Sequence, residues 1–252
     1  MLTEPLIQQL HSLRLSGMAQ GLEQQQASPD SPRLDFGERL GLLIEHERAA
    51  RASARLTQRL RWARLPMPAA LEDLDMRTPR GLDGSVLAKL KRLDWIREHL
   101  NLLITGPTGV GKSYLACALA HAACRADLNV RCFRVPRLVD DLARATALQK
   151  RSALLRQLAK TDLIVLDDFG LAPVSEQTTR DLLELLDDRY DQRSTLITSQ
   201  LPLETWHAQL GDPTVADAIL DRLVHNSYRL NLTGESMRKK KSIHTIDPER
   251  KS

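Results

Sequence analysis

Apolar positions at the start of the chain recur at helical spacing. Leu6, Leu10, Leu13, Met18 and Leu22 fall broadly on one stripe. The turn-forming stretch "SPDSPR", Ser28 to Arg33, interrupts it. A second helical pattern runs from roughly Phe36 to Arg64 and stops at "LPMPAA", because Pro66 and Pro68 cannot continue a helix. Residues 66–100 read as a connector with one short helix near Val86–Leu93. The expected division is a small helical N-terminal domain, 1–65, and a second domain, 66–252.

From residue 101 the pattern alternates between short apolar runs and longer helical stretches. The strands are "NLLIT", "NVRCFRV", "DLIVLDD", "STLITS" and a last short "YRLNLTG". Between them stand "GKSYLACALAHAACRA", two helical segments from about Pro136 to Lys160, "SEQTTRDLLELLDDRYDQ" and "VADAILDRLVHN". Such alternation predicts an α/β fold in three layers, a parallel five-stranded sheet with helices on both faces.

Composition sharpens this picture in three places. Aromatics make up only 4% of the 252 residues, so the core must be built from Leu, Ala, Ile and Val, which suits α/β better than a β-sandwich. Every apolar run is far shorter than the roughly 20 residues of a membrane span, and "MLTEPLIQQL" lacks the basic start and apolar stretch of a secretory signal. Cys117, Cys124 and Cys132 form no CxxC pair and read as buried structural thiols in a reducing cytoplasm. The net charge of +4 is a weak hint of nucleic acid, but its distribution says more. Residues 1–47 are acidic, whereas "RAARASARLTQRLRWAR", Arg48 to Arg64, carries six arginines and no acid.

Candidate chemistry begins at the first strand's end. Gly106-Pro107-Thr108-Gly109-Val110-Gly111-Lys112-Ser113 matches GxxxxGK[ST] at a strand-to-helix junction. The loop's N–H groups and the helix N-terminus would face a β-phosphate. Lys112 would add a charge at the β- and γ-oxygens, and the Ser113 hydroxyl could bind Mg²⁺. About 55 residues on, "LIVLDDF" places two carboxylates at a strand's C-terminal end, where ligands of such sheets bind. Asp167 would hold Mg²⁺ directly or through water, and Asp168 would orient or deprotonate a water near the γ-phosphate. Alone, the acid pair would read as a turn cap. No arginine-rich lid insertion separates the two motifs, so water activation by an ATPase fits better than a kinase.

"GPTGVGKS…LIVLDDFG…TLITSQ" resembles the AAA+ ATPases, in the branch of DnaC-like helicase loaders and IstB-like transposition helpers. "SLRLSGMAQGL", "LLIEHERAARASARLTQRLRWARLP" and "DRLVHNSYRLNLTGESMRKK" are similar to the transposition helper in particular. The resemblance implies a Mg²⁺-dependent ATPase of an insertion sequence that oligomerises on duplex DNA without base preference and recruits or stimulates a partner transposase. It implies a polar sensor at the fourth core strand's end, Ser199 or Gln200, and an arginine finger, Arg222, offered to a neighbouring subunit. Otherwise Arg222 would make a surface ion pair with Asp217 or Asp221. The sequence departs from the wider superfamily at Asp168, where most members have Glu, and in having no separate lid domain after the core. Arg238 is the one nearby candidate for a lid-borne sensor. A replicative helicase loader is the alternative within this class. A P-loop kinase for a small metabolite is the alternative from another, and a DNA-binding scaffold without hydrolysis is a third.

Arg48, Arg51, Arg55 and Arg59 share one helical stripe. It reads as a solvated face, a contact for DNA phosphates or a contact for a partner subunit. By the loader resemblance, Arg144, Lys150 and Arg151, in the helices after the second strand, would face DNA. The tail "RKKKS" could add phosphate contacts or be a disordered basic end.

Overall fold

The computed structural model describes residues 3–29, 31–171 and 174–237. The chain packs as two compact units, Met1–Arg59 and Leu60–Ser252.

The first unit contains α1 (Thr3–Ser12), α2 (Ser16–Ala27) and the greater part of α3 (Phe36–Ala63). The start of α3 is fixed by a capping box: the Asp35 carboxylate accepts the Glu38 N–H at 2.8 Å, and the Glu38 carboxylate accepts the Asp35 N–H at 2.9 Å. Ile7, Ala19 and Leu22 form a small core, with Leu10 and Leu43 against it. Gly17 lets α2 and α3 touch at backbone distance, since a Cβ there would lie 2.6 Å from the Glu47 Cα. The half of Glu47 that reaches α2 accepts the N–H groups of Gly17 and Met18 at 2.8 and 3.1 Å, satisfying two donors of the first turn. Its other oxygen accepts from Arg51 Nε at 2.6 Å, and this bond chiefly holds the Glu47 carboxyl below its ordinary pKa.

The second unit opens with a connector holding α4 (Gly84–Lys91) and α5 (Asp94–Arg97). Its core follows in the order β1 (Asn101–Thr105), α6 (Lys112–Arg125), β2 (Val130–Arg134), α7 (Val135–Ala147), α8 (Arg151–Ala159), β3 (Leu163–Phe169), α9 (Glu176–Arg189), β4 (Ser194–Ser199), α10 (Trp206–Gln209), α11 (Pro213–Val224) and β5 (Ser227–Asn231). The five strands form one sheet in the order β2-β3-β4-β1-β5, and every pairing is parallel. This is the α/β architecture the alternation predicts. Leu102, Ile104, Leu163, Leu196 and Ile197 are fully buried, as strands covered on both faces require. On one face Phe133, Leu138, Leu155, Leu186 and Ile219 pack with Phe169 and Trp206, whose rings lie 4.7 Å apart. Pro136 ends the second strand early, so Val135 already begins a helix. Two short helices, α5 and α10, carry no periodic signal and were not expected from the pattern.

Arg189 anchors the strand starts. It is almost fully buried and donates to the carbonyls of Leu158, Thr161 and Ser194. Burial pushes its pKa down to about 9. The three cysteines are free and buried, and burial raises the Cys117 thiol to about 11. No helix among the described residues is long and apolar enough to cross a membrane.

Candidate nucleotide site

Strand order builds the site. Because β4 lies between β1 and β3, the loop after β1, the acids of β3 and the polar end of β4 meet at the carboxyl end of the sheet. The loop is held close to the segment after β5. Gly106 has φ 140°, and a Cβ there would lie 2.0 Å from the Leu232 carbonyl oxygen, so only glycine fits. The Met237 N–H donates to the Gly109 carbonyl at 2.9 Å. Gly111, at φ 98°, hands the chain to α6, whose first residue is Lys112. The buried Lys112 ammonium donates to the carbonyls of Gly106 and Pro107 at 2.7 and 2.9 Å.

Ser113 and Asp167 come together. The Ser113 hydroxyl donates to Asp167 Oδ1 at 2.8 Å. Asp167 is buried, and the same oxygen accepts from the Thr198 hydroxyl. Thr198 also accepts the Asp168 N–H at 3.2 Å, so one hydroxyl sets both acids. Asp168 sits in the left-handed region at φ 62°, which turns its carboxylate away from the strand line. Its Oδ2 lies 3.7 Å from Arg134 Nε at the end of β2. A cavity of about 420 Å³ borders Ser113 and Asp167 on that side, with Arg64, Arg134 and Arg137 in its wall.

The two sensor candidates divide. Ser199 is fully buried; its hydroxyl donates to the Phe169 carbonyl at 2.7 Å and accepts the Leu201 N–H at 3.1 Å. Gln200 instead accepts from the Thr108 hydroxyl in the phosphate loop at 2.6 Å. Thr198 was missed by sequence reasoning, although alternation along "TLITS" places it and Gln200 on one face, opposite to Ser199. Arg222, on α11, is partly exposed and pairs with Asp187 of α9; its Nη1 donates to the Ala218 carbonyl at 2.8 Å. Its partner is therefore neither Asp217 nor Asp221.

The basic candidates differ in how their charge is used. Arg48 pairs with Glu45 at 2.8 Å and Arg51 with Glu47 at 2.6 Å, while Arg55 is exposed and Arg59 half-exposed. Acids preceding the stripe thus neutralise its first turn. Arg144 is exposed and lies 3.3 Å from Asp141, and Lys150 is exposed. Arg151 has a structural task. It donates to Asp181, which is buried, at 2.7 Å and to Glu184 at 2.5 Å, and these bonds raise its pKa. Its guanidinium holds α8 to α9 rather than standing free for phosphate. Arg238 and the "RKKKS" tail lie outside the described residues.

A glycine-rich phosphate loop at β1, paired acids at β3 and a polar β4 end between them define a P-loop nucleotide-binding core with the AAA+ fold. The comparisons place it more narrowly. Residues 8–245 match the family model described as IstB-like ATP binding protein, and the chain belongs to that family. It is 50% identical over 239 residues to the insertion sequence ATP-binding protein y4pL of Sinorhizobium fredii, covering 95% of this chain and 98% of the relative. It is 33% identical to the ATP-binding protein of insertion sequence IS21 from Pseudomonas aeruginosa, covering 94% and 88%. Among solved structures, DnaI aligns with a TM-score of 0.55 at 23% identity, covering 68% of this chain and 93% of that one. The DnaC helicase loader aligns at 0.53 and 22%, covering 65% and 96%. At such identity these structures share the fold.

Proposed function

We propose that this chain is the Mg²⁺-dependent helper ATPase of an insertion sequence, which oligomerises on duplex DNA without base preference and recruits or stimulates its partner transposase. The observation that carries the ATPase reading is the hydrogen bond from Ser113 to Asp167, braced by Thr198. A hydroxyl and a carboxylate oxygen so placed suit a hard cation, and Ser113 and Asp167 would hold Mg²⁺. When bound, the cation neutralises charge on the β- and γ-phosphate oxygens.

Lys112 exchanges the Gly106 and Pro107 carbonyls for phosphate oxygens. Asp168 orients the attacking water and takes its proton. The water oxygen bonds to the γ-phosphorus while the bond to the β-phosphate oxygen breaks, leaving ADP and phosphate. Gln200, tied to the loop through Thr108, is the better placed sensor, because the Ser199 hydroxyl is engaged in the core. Arg222 leaves Asp187 and lends its charge to the γ-phosphate held by a neighbouring subunit, so ATP and subunit contact depend on one another.

The N-terminal domain, 1–65, serves as the partner-binding module, and 66–252 as the ATPase. The relatives named for insertion sequences support the transposition role. Arg48, Arg51, Arg55 and Arg59, together with Arg144 and Lys150, supply salt-dependent contacts to DNA phosphates. The cytoplasm is where such an assembly meets its DNA. Turnover with DNA present or withheld tests the reading: the expected result is Mg²⁺-dependent release of phosphate from ATP that rises with random-sequence duplex. Absence of hydrolysis under both conditions would leave a scaffold without ATPase activity.

A further inference from the structure

A cation beside the phosphate loop makes no hydrogen-bonded ion pair among the described residues. Arg80, in the connector before α4, is only 5% exposed. Its Nη1 donates to the Val110 carbonyl at 3.2 Å and its Nη2 to the Asp75 carbonyl at 3.0 Å. Its Nε is buried and has no hydrogen-bond partner among the described residues. The Asp75 carboxyl feels the Arg80 charge but accepts its hydrogen bonds from the Arg77 N–H at 2.8 Å and the Thr78 hydroxyl at 2.6 Å. Burying a guanidinium against neutral carbonyls, with one donor unsatisfied, is costly.

The location explains what could offset that cost. A Cβ at Gly111 would lie 2.6 Å from Arg80 Nη1, so the guanidinium packs on the residue that precedes the N-terminus of α6. Lys112 follows immediately, and the helix N-terminus adds its own positive potential. Three positive elements converge, and among the described residues no carboxylate hydrogen-bonds Arg80. The Thr233 N–H, donating to the Arg80 carbonyl at 3.0 Å, fixes the residue's backbone there.

We propose that Arg80 is a further nucleotide ligand of the same subunit, its Nε donating to a phosphate oxygen of the bound nucleoside di- or triphosphate. The proposal rests on the reading of the loop as a nucleotide site. It assigns to the connector a direct part in holding phosphate, alongside the loop itself. Arg80 thereby reports nucleotide to the segment after β5 as well, since that segment hydrogen-bonds both Arg80 and Gly109.

The test titrates the full chain and Arg80→Gln with fluorescent ADP and ATP analogues and with adenosine, and records melting without nucleotide. The expected result is a loss of about tenfold or more in affinity for both ADP and ATP, as a hydrogen bond to a charged group would give. Adenosine affinity and nucleotide-free melting stay near the parent's. If Arg80→Gln does not fold, Arg80→Lys serves, because it keeps a charge and lacks Nε; a several-fold loss toward ADP is expected. A lowered melting temperature with ADP affinity within about twofold of the parent overturns the proposal and makes Arg80 a brace between Asp75 and Val110. A parent chain that binds neither ADP nor ATP overturns the nucleotide-site reading itself.

Discussion

Polar and charged groups at the carboxyl ends of the strands are treated differently from the charged groups along α3. At the strand ends, the Asp167 carboxylate is fixed by Ser113 and Thr198, the Asp168 N–H by Thr198 and Gln200 by Thr108, each pair linking two separate elements of the second unit. Along α3, Arg48 and Arg51 are held by acids one turn away on the same helix, and Arg55 stands exposed. The exposed Arg48–Glu45 pair contributes about 0.3–0.5 kcal/mol, so a polyanion can displace it, whereas Arg51 is paired with the buried Glu47. A catalytic site needs its dipoles in place before the charge develops. A surface for DNA backbone needs cations that can adapt. The contrast teaches that the two surfaces can be separated by mutation.

The largest effect should come from Arg222→Ala, which removes the finger and lowers DNA-stimulated turnover by about 1,000-fold or more, while ATP affinity of the isolated subunit stays unchanged. Turnover and equilibrium titration check this, and unchanged turnover would reassign Arg222 to its Asp187 pair. Next, Thr198→Val should reduce turnover by about 10- to 100-fold through misplaced acids, although Thr198 touches no phosphate in this account. Arg151→Ala should leave the buried Asp181 without its counter-charge and with only the Gln177 amide as partner among the described residues, lowering stability by about 3 kcal/mol in denaturant titrations. Its DNA salt dependence should match the parent's, and a changed salt slope would return Arg151 to the DNA surface.

On the α3 side the effects are smaller. Each alanine at Arg48, Arg51, Arg55 or Arg59 should reduce the slope of log affinity for duplex against log salt by about 0.9, with hydrolysis in the absence of DNA unchanged. Slopes equal to the parent's would assign the stripe to solvent or to a partner subunit. The smallest effect concerns pH. Arg51, then the N–H groups of Met18 and Gly17, hold the Glu47 carboxyl below its ordinary value of 4.5. The stabilisation is therefore complete above about pH 4.5 and is lost as pH falls through the folded pKa. Glu47→Gln should flatten that acid limb in melting curves taken between about pH 2.5 and 6.5 (about 2 units either side of the carboxylate value).

The phosphate loop, the acid pair and the strand–helix alternation could be read from local patterns, because each depends on residues adjacent in sequence. Thr198 could not be picked out in that way. Its role arises from β4 being inserted beside β3, a long-range pairing that puts its hydroxyl against Asp167 and Asp168. Arg80 was invisible for the same reason, since the connector has no periodicity and its contact with Val110 spans 30 residues. Arg151 looked like any exposed helical cation until Asp181 was seen opposite it. Charge runs reveal composition, and only tertiary packing reveals which charges are already used.

Nucleotide at a subunit junction is proposed to drive assembly on DNA. The most direct measurement is the mass of complexes formed on random-sequence duplex by the parent, Lys112→Ala and Arg222→Ala, with ATP and Mg²⁺ supplied or withheld. The account predicts large complexes for the parent with ATP and Mg²⁺ only, and none for either variant. Equal loading of the DNA by all three proteins without nucleotide would contradict it.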